Sequence, residues 1–311
     1  MLPRNDITHA HADVNGVRLH YASRGAGKLI LFIHGFPELW YAWKRQLFDF
    51  GRHHRAVALD QRGYNLSSKP SAVDAYGIDL LAADIAALIE HLGEEKAVLV
   101  GHDVGAVVAW AVALRHPERV EKLVAINMSH PACFDRALRE DPAQQAASQY
   151  MHLFRSRSAE ERLSQHDYGF LREIFLDPGL SQGYFSEADV RVYLEAFAQP
   201  GAMTGGLNLY RAAQIGPPGP GEPVGGSNLT RGLRSLTVSV PVLVIWGERD
   251  PYLLPASNLA GIELYVPDLR VMRVPEATHW IVHEEPEIVN AAIRGFLARE
   301  RPGGHQRAKP A

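Results

Sequence analysis

The stretch that decides the fold runs from Lys96 to Ala106. It begins with the mostly apolar run Lys96 to Val100 and continues without a gap into Gly101-His102-Asp103-Val104-Gly105-Ala106. Small residues stand two positions before and after Asp103, as a strand-to-helix turn too tight for side chains requires. Such a turn lifts its central side chain above a sheet and points it at the helix N-terminus. The pattern predicts a nucleophile elbow centred on Asp103, although an ordinary turn with Asp103 as a helix N-cap fits the same residues.

Outward from this stretch, short apolar runs alternate with helical patterns. Four runs have the composition of strands buried on both faces: Lys28 to Ile33, Arg55 to Leu59, Lys96 to Val100 and Val120 to Ile126. Helical patterns lie between them, at Leu39 to Phe50, Ile78 to Leu92 and Val104 to His116. Before them, Asp6 to Val14 and Val17 to Ser23 flank Asn15-Gly16 and predict a hairpin. This alternation predicts an α/β protein with a parallel sheet covered on both faces.

The alternation stops after Ser129. Residues 130–235 carry amphipathic helical stretches but no apolar strand run; the stretches are Ala143 to Phe154, Glu187 to Ala198 and Leu207 to Gln214. Strands and helices then alternate again, at Val240 to Trp246, Pro255 to Tyr265, Leu269 to Val274 and Pro286 to Arg299.

Three parts of the chain are therefore expected. Residues 1–129 and 236–300 form a core domain, residues 130–235 form a helical cap domain, and residues 301–311 form a disordered polar tail. Near the end of the insertion, residues 216–228 are rich in Gly and Pro and predict a surface loop, with a mobile flap over a pocket as the alternative.

Composition and charge exclude several classes of protein. The 311 residues include 32 Lys+Arg and 35 Asp+Glu, which gives a formal net charge of −3, and 46% of the residues are hydrophobic. A disordered chain is less apolar, and a nucleic-acid binder has a basic excess. The longest apolar run, Ala106 to Leu114, is about half of the ~20 residues that a membrane-spanning helix needs.

The N-terminus and the cysteine count indicate the compartment. No apolar leader segment begins the chain, and Cys133 is the single cysteine, so no intrachain disulfide can form. We therefore expect a soluble cytoplasmic protein with no nucleic-acid or membrane partner. The sequence does not fix the oligomeric state and is compatible with a homodimer.

Five separated motifs, in order along residues 8–300, give the chain a specific resemblance. They are residues 34–43 (HGFPELWYAW), residues 60–67 (DQRGYNLS), the Asp103 elbow, residues 246–250 (WGERD) and residues 278–280 (THW). On these motifs the chain resembles the α/β-hydrolase fold family and, within it, the epoxide hydrolases, which carry Asp rather than Ser at the elbow. The resemblance implies a mostly parallel eight-stranded sheet flanked by helices, with a helical cap. It also implies that an epoxide and water give a vicinal diol without a metal or an organic cofactor.

An aspartate at the elbow sets the type of reaction. A carboxylate is a poor nucleophile toward carbonyl carbon, but it can displace a leaving group at sp³ carbon, which gives an alkyl ester of Asp103. Water must then cleave this ester and needs a general base. His279, after the last strand, is the candidate base, and Asp250 is the candidate that orients it. The chain order nucleophile, acid, histidine is the order that this fold uses.

The remaining roles follow from the resemblance. The backbone N–H groups of Phe36 and Val104 are expected to hold the oxyanion that forms during ester hydrolysis. Epoxide hydrolases stabilise the opened ring oxygen with two tyrosine hydroxyls from the cap, and the segments around Tyr150 and Tyr210 resemble those segments. The expected substrate pocket, which suits an uncharged epoxide, includes His34, Pro37, Trp40 and His102.

Three alternatives stand beside this hypothesis. A dehalogenase would form the same ester, but fluoroacetate dehalogenases place arginines where this chain has Val104 and Val107. Haloalkane dehalogenases usually have Trp after the nucleophile and Asn in the loop that here contains Phe36. A serine esterase needs a Gly-x-Ser-x-Gly motif, which the chain lacks. A non-catalytic binding protein of this fold typically lacks one member of the triad, whereas all three candidates are present here.

Overall fold

The computed structural model describes residues 6–222 and 224–299. Its centre is an eight-stranded sheet with the order β1-β2-β4-β3-β5-β6-β7-β8. The strands are β1 (Thr8–Val14), β2 (Val17–Arg24), β3 (Leu29–Ile33), β4 (Arg55–Leu59), β5 (Ala97–His102), β6 (Val120–Ile126), β7 (Val242–Gly247) and β8 (Leu269–Val274). Strand β2 pairs antiparallel with β1 and β4, and β3 to β8 run parallel. The eight-stranded, mostly parallel sheet is confirmed.

The described helices fall into two groups. Those around the sheet are α1 (Lys44–Phe50), α2 (Ile78–His91), α3 (Val104–Arg115), then α11 (Pro255–Leu259), α12 (Ile281–Glu284) and α13 (Pro286–Leu297). Those between β6 and β7 are α4 (Pro131–Glu140), α5 (Pro142–Ala147), α6 (Tyr150–Arg155), α7 (Ala159–Leu171), α8 (Asp177–Ser181), α9 (Glu187–Phe197) and α10 (Ala202–Ala212). We call residues 130–235 the helical insertion.

The central strand β3 explains why helices cover both faces of the sheet. All five of its residues are buried, and successive side chains point to opposite faces. Phe32 packs in an apolar cluster with Trp43, beside α1, and with residues of α13. Leu31 faces the other way and belongs to the cluster that contains Trp110 of α3. A strand with no polar face needs this double cover.

Within the core most predicted bounds agree with the structure to within two residues, but the predicted helix Pro255 to Tyr265 is the short helix α11 followed by a 3₁₀ turn at Ile262–Leu264. The strands Arg55–Leu59, Val120–Ile126 and Leu269–Val274 begin and end where the apolar runs do. The predicted helix from Leu39 differs, because a 3₁₀ turn at Trp40–Trp43 precedes α1. The predicted disordered tail, residues 301–311, lies outside the described residues.

The helical insertion differs more, because α4, α7 and α8 lie outside the predicted helical stretches. The predicted helix Ala143 to Phe154 is two helices, because Gln144 binds the hydroxyl of Ser148 and the carbonyl oxygen of Tyr252 and so fixes the break between α5 and α6. Helix α10 begins five residues before the predicted start at Leu207. Its first turn contains consecutive glycines, which hide the helical pattern in the sequence.

Helix α10 owes its place to those glycines. A Cβ at Gly205 would overlap the backbone of Gly63, in the loop after β4, and a Cβ at Gly206 would lie 2.6 Å from the ring of Phe36. Glycine therefore lets α10 lie directly on the loops that follow the central strands.

The Gly/Pro-rich loop lies against α6. Two isolated bridges, Gly216 to Gly226 and Gly219 to Glu222, shape it, and the Glu222 carboxylate binds the Arg155 guanidinium. Over the described ranges we find no helix with the length and hydropathy that a bilayer crossing demands.

Candidate active site

Asp103 occupies the sharp turn between β5 and α3, where its backbone adopts φ 53° and ψ −129°. A Cβ at Gly105 would overlap the carbonyl oxygens of Ile33 and His34, and a Cβ at Gly101 would lie 2.6 Å from the Cα of Ala106. The small residues around Asp103 are therefore a steric requirement, as the sequence pattern predicts. The backbone strain at Asp103 is typical of a functional position.

The Asp103 carboxylate lies between a backbone donor and a histidine. Its Oδ1 accepts a hydrogen bond from the Phe36 N–H at 2.9 Å, and its Oδ2 lies 3.5 Å from Nε2 of His279. A Cβ at Gly35 would lie 2.7 Å from Oδ1, so glycine lets this loop approach the carboxylate. The Phe36-Pro37 peptide bond is cis. Val104, the other expected oxyanion donor, begins α3 directly after Asp103.

Asp250 holds the other side of the His279 ring. Its Oδ2 lies 2.7 Å from His279 Nδ1, and its Oδ1 accepts hydrogen bonds from the N–H groups of Tyr252 and Leu253 at 2.8 and 3.0 Å. Burial raises the pKa of the Asp250 carboxyl, but the His279 charge and these hydrogen bonds outweigh burial and hold the pKa below its ordinary value. Asp250 is therefore a buried carboxylate that stays charged.

His279 lies between two carboxylates and is buried. Burial by itself lowers its pKa, but the charge of Asp250 and the hydrogen bond and charge of Asp103 raise it to about 10. At neutral pH the imidazole is therefore protonated and directs one N–H toward each carboxylate. The structure thus brings the three expected members of a triad together.

Asn127 belongs to the same cluster and is absent from the sequence prediction. It follows β6 with φ 46°, its amide donates to Asp250 Oδ2 at 2.6 Å, and its amide oxygen accepts from the Gly247 N–H at 3.1 Å. A signal for it exists in the sequence, because Asn127 directly follows an apolar strand run, as Asp103 does. Both residues lie at the carboxyl edge of a parallel sheet, where sites of such folds form.

Glu38 joins three segments behind the reaction centre and is also absent from the prediction. Its Oε2 accepts a hydrogen bond from the Gly35 N–H and lies 3.0 Å from His102 Nδ1, and its Oε1 lies 2.7 Å from His283 Nε2. His102 Nε2 donates to the carbonyl oxygen of His279 at 2.8 Å. Burial raises the pKa of Glu38, but the two imidazoles outweigh it and hold that pKa well below the usual range. This network fixes the Phe36 loop relative to the His279 loop.

Aromatic rings connect the two expected tyrosines to the triad. Tyr210 on α10 packs on Phe36 and on Phe154, with ring centroids 6.2 and 5.2 Å apart. Tyr150 on α6 packs on Phe154 at 5.1 Å and on Tyr252 at 5.6 Å. Because Tyr252 in turn packs on His279 at 5.3 Å, the rings continue from the insertion back to the triad.

Both tyrosine hydroxyls are suited to donate a proton. Burial, followed by the negative charge of Asp103, raises the pKa of Tyr150 and of Tyr210 well above the usual value, so both stay protonated at neutral pH. Neither hydroxyl has a hydrogen-bond partner among residues 6–222 and 224–299. Two unoccupied O–H donors therefore lie within the electrostatic reach of Asp103.

Three residues expected in the pocket wall lie elsewhere. His34 and His102 are 0% exposed, so no water-sized molecule touches them. His34 Nε2 accepts a hydrogen bond from the Gln61 N–H, and His102 belongs to the Glu38 network. Trp40 packs on the β1–β2 hairpin, with its ring 4.9 Å from that of His9. For His102, adjacency in sequence to Asp103 misleads, because neighbouring side chains at a strand end point in opposite directions.

Pro37, the fourth, does line a cleft. The cleft is small, with a free volume of about 20 Å³, room for one water molecule, and lies beside Phe36, between core and insertion. Tyr64 contributes from the core, and Phe197 and Met203 contribute from the insertion. Across the described part of the chain, no three His, Cys, Asp or Glu side chains form a group that could hold a metal ion.

Comparison with known proteins places the chain in a family. Residues 28–286 match the family model described as alpha/beta hydrolase fold. The AB hydrolase superfamily protein YfhM of Bacillus subtilis (strain 168) is 40% identical over 297 residues, which cover 93% of this chain and 97% of that protein. Epoxide hydrolase 4 of Mus musculus is 35% identical over 303 residues, which cover 94% of this chain and 80% of that protein. The crystal structure of Bacillus megaterium epoxide hydrolase in complex with an inhibitor is 40% identical with a TM-score of 0.87, covering 93% of this chain and 100% of that one. The chain belongs to the epoxide hydrolases of the α/β-hydrolase fold family.

Proposed function

We propose that this protein hydrolyses uncharged epoxides to vicinal diols in the cytoplasm, through an alkyl ester on Asp103. One observation carries the proposal: the Asp103 carboxylate has a backbone donor on one oxygen, a protonated histidine beside the other, and two unoccupied tyrosine hydroxyls within its electrostatic reach. Residues 130–235 act as a cap domain on a core of residues 1–129 and 236–300. All the groups that the reaction needs come from one chain.

Ring opening is the first step. Asp103 Oδ2 attacks a ring carbon, and the bond from that carbon to the ring oxygen breaks as the new C–O bond forms. The oxygen leaves with a developing negative charge, for which Tyr150 and Tyr210 supply two hydrogen bonds and one proton. Donors that are already oriented toward such a charge lower the barrier because no solvent has to reorganise. The product of this step is a neutral ester of Asp103.

Ester formation also prepares the base. Asp103 has lost its negative charge, so one of the two carboxylates that raise the pKa of His279 is gone and that pKa falls. The proton that His279 then releases replaces the one that the tyrosine gave to the ring oxygen, and the neutral imidazole can accept a proton from the attacking water. Asp250, which stays charged, stabilises the imidazolium that forms. The nucleophile thus controls when the base becomes available.

Ester hydrolysis completes the cycle. Water attacks Cγ of Asp103 and gives its proton to His279 Nε2. The oxyanion develops on Oδ1, where the Phe36 N–H donates, with the Val104 N–H as the second donor. The Cγ–Oδ2 bond then breaks, and the leaving alkoxide takes the proton from His279 and departs as the diol. The second proton of the attacking water stays on the new Asp103 carboxyl group and passes to His279, which restores the carboxylate and the imidazolium.

Trapping the ester tests this proposal. His279→Gln, incubated with styrene oxide, should accumulate a covalent adduct equal to the mass of one epoxide, which peptide mapping places on Asp103. The wild-type protein should release the diol without accumulating the adduct. No adduct in the variant, together with no diol from the wild type, would refute the proposal.

An isotope experiment tests the second step. In a single turnover in H₂¹⁸O, the label should enter the Asp103 carboxylate and not the diol, because the diol takes its second oxygen from Asp103 Oδ2. Label in the diol after one turnover would instead indicate direct attack of water on the epoxide. Halide release from haloalkanes or haloacetate faster than diol formation would favour the dehalogenase alternative.

A further inference from the structure

The reaction centre is closed. Asp103, His279 and Tyr210 are each 5% exposed or less, so an epoxide cannot reach them without movement of the helical insertion relative to the core. Gating of this kind is common in enzymes that exclude water from a reactive intermediate. The contacts that hold the insertion on the core therefore decide where the protein opens.

Two of these contacts are tight and largely apolar. Helix α10 lies with Gly205 directly on the backbone of Gly63. The segment between α7 and α8 is held at Trp280, whose Nε1 donates to the Ile174 carbonyl oxygen at 3.0 Å and whose ring lies 4.4 Å from that of Phe175. Separation at either place would break close van der Waals contacts, and water would not make equivalent contacts in their place.

The contact of helix α9 with the core is polar at its first turn, whereas further along the helix the ring of Tyr193 packs on that of Tyr41. Asp189, in the first turn of α9, binds the Lys44 ammonium and accepts a hydrogen bond from the Tyr41 hydroxyl at 2.8 Å. The Ser186 N–H donates to the same carboxylate at 2.8 Å and the Asp189 N–H donates to the Ser186 hydroxyl oxygen at 3.3 Å, which together form a capping box. The Lys44 and Asp189 side chains are 18% and 12% exposed, so water lies at the edge of the pair. When the pair separates, water can solvate both charges.

The cleft lies at the other end of the same helix. Ala196 and Phe197, at the end of α9, face Phe36 and Tyr64 of the core across this small cleft of about 20 Å³. The Phe36 ring also packs on Phe154 and Tyr210, so it separates this cleft from the reaction centre. Helix α9 therefore has a polar attachment at its first turn and an existing gap at its last turn.

We propose that Lys44 is a positioning residue that holds helix α9 on the core through Asp189, and that substrate and diol pass between α9 and the core when this pair separates. The inference rests on the proposed function and adds the path by which substrate enters and diol leaves.

Helix α9 also supports the loop that carries the base. Tyr193 of α9 packs on Tyr41 at 6.3 Å and on Phe175 at 4.9 Å. Phe175 packs on Trp280, the neighbour of His279. Closure of α9 therefore presses a continuous row of rings against the His279 loop, and its opening releases that row.

Amide hydrogen exchange tests the contact without reference to catalysis. Lys44→Met keeps the length of the side chain and removes its charge, and it leaves the capping box of α9 intact. Exchange across residues 187–197 should become roughly fivefold faster, the factor expected for loss of a half-buried ion pair. Lys28→Met is the matched control, because Lys28 pairs with Glu121 far from α9. Tyr41→Phe, which removes one hydroxyl, should give a smaller change in the same peptide.

Rates of diol binding test the route. Stopped-flow fluorescence with 1-phenylethane-1,2-diol should show association and dissociation rate constants both raised roughly fivefold in Lys44→Met, with Kd within twofold of the wild type. An equal rise in both rate constants at constant Kd identifies a gate to the site. Loss of a binding contact would instead change Kd, and a damaged fold would lower the fraction of protein that binds the diol.

The two proposals fail in different ways. If the wild type makes no diol from epoxides, the proposed function is wrong, and hydrogen exchange still tests the attachment of α9. If diol forms but Lys44→Met matches Lys28→Met in α9 exchange and in both diol rate constants, the inference about Lys44 is overturned.

Discussion

Asp103→Asn should lower the pKa of His279. The substitution keeps the shape of the nucleophile and removes its charge, so it reproduces the neutral side chain of the ester. With Asp103 charged, the pKa of His279 is about 10, and Asp103 Oδ2 lies 3.5 Å from the ring nitrogen. If ester formation is what lowers the pKa of His279, this variant should show the lower pKa without any substrate.

The magnitude follows from the distance. Two unit charges 3.5 Å apart attract by about 1 kcal/mol in a water-like dielectric and by about 5 kcal/mol at the effective dielectric of a protein site. Since one pH unit corresponds to about 1.4 kcal/mol, Asp103→Asn should lower the pKa of His279 by roughly one to three pH units. Asp250→Asn should lower it at least as much, because that carboxylate lies 2.7 Å from the ring.

Histidine-selective NMR measures this change directly. The chain has 15 histidines, and the His279 signal is identified by its loss in His279→Gln. Titration of the wild type and of Asp103→Asn from pH 5 to 11 then gives both pKa values. Equal values in the two proteins would refute the argument that ester formation prepares the base, whatever the overall activity.

Four further predictions concern single residues. Tyr210→Phe should slow ring opening about a hundredfold, measured as adduct formation in a His279→Gln background, because a donor to the developing charge is lost. Gly105→Ala should lower the free energy of unfolding by about 3 kcal/mol in urea denaturation, whereas Gly295→Ala, which has open space around it, should not. Asn127→Ala should lower the free energy of unfolding by about 3 kcal/mol, because the buried Gly247 N–H and the buried Asp250 carboxylate each lose a partner. It should also slow ester hydrolysis more than ring opening. The pKa of His279 is raised on folding, so its contribution to stability should be complete below pH 6.5 and disappear as the pH rises through about 10. Urea unfolding at a series of pH values should show this loss of stability in the wild type and not in His279→Gln.

The sequence predicts most of the fold because its signals are local. The hairpin at Asn15-Gly16 and the strands of the core are encoded in runs of a few residues with a clear period. The elbow is equally local, since the glycines around Asp103 exclude side chains from one turn. The helical insertion is harder to predict: its break at Ser148 depends on Tyr252, more than a hundred positions away.

The support around the candidate site lies beyond local patterns. Glu38 meets His102 and His283, which are 64 and 245 positions away in the chain. The sequence around each of these three residues does not indicate these contacts. Without knowledge of its partners, Glu38 looks like an ordinary turn residue. For the same reason the sequence alone predicts His102 in a pocket wall, although its ring binds the carbonyl oxygen of His279 behind the triad.

The contact between Gly205 and Gly63 limits how the protein can evolve. No side chain takes part on either side, so a substitution at either glycine would force α10, and with it Tyr210, away from the core. Parts of the insertion that make no such close contact are free of this restriction. Surface residues and loops there can change in sequence and length, and with them the shape of the substrate that fits, while Tyr210, the proposed proton donor, keeps its place. Relatives of this chain can therefore diverge in what they accept without losing the reaction.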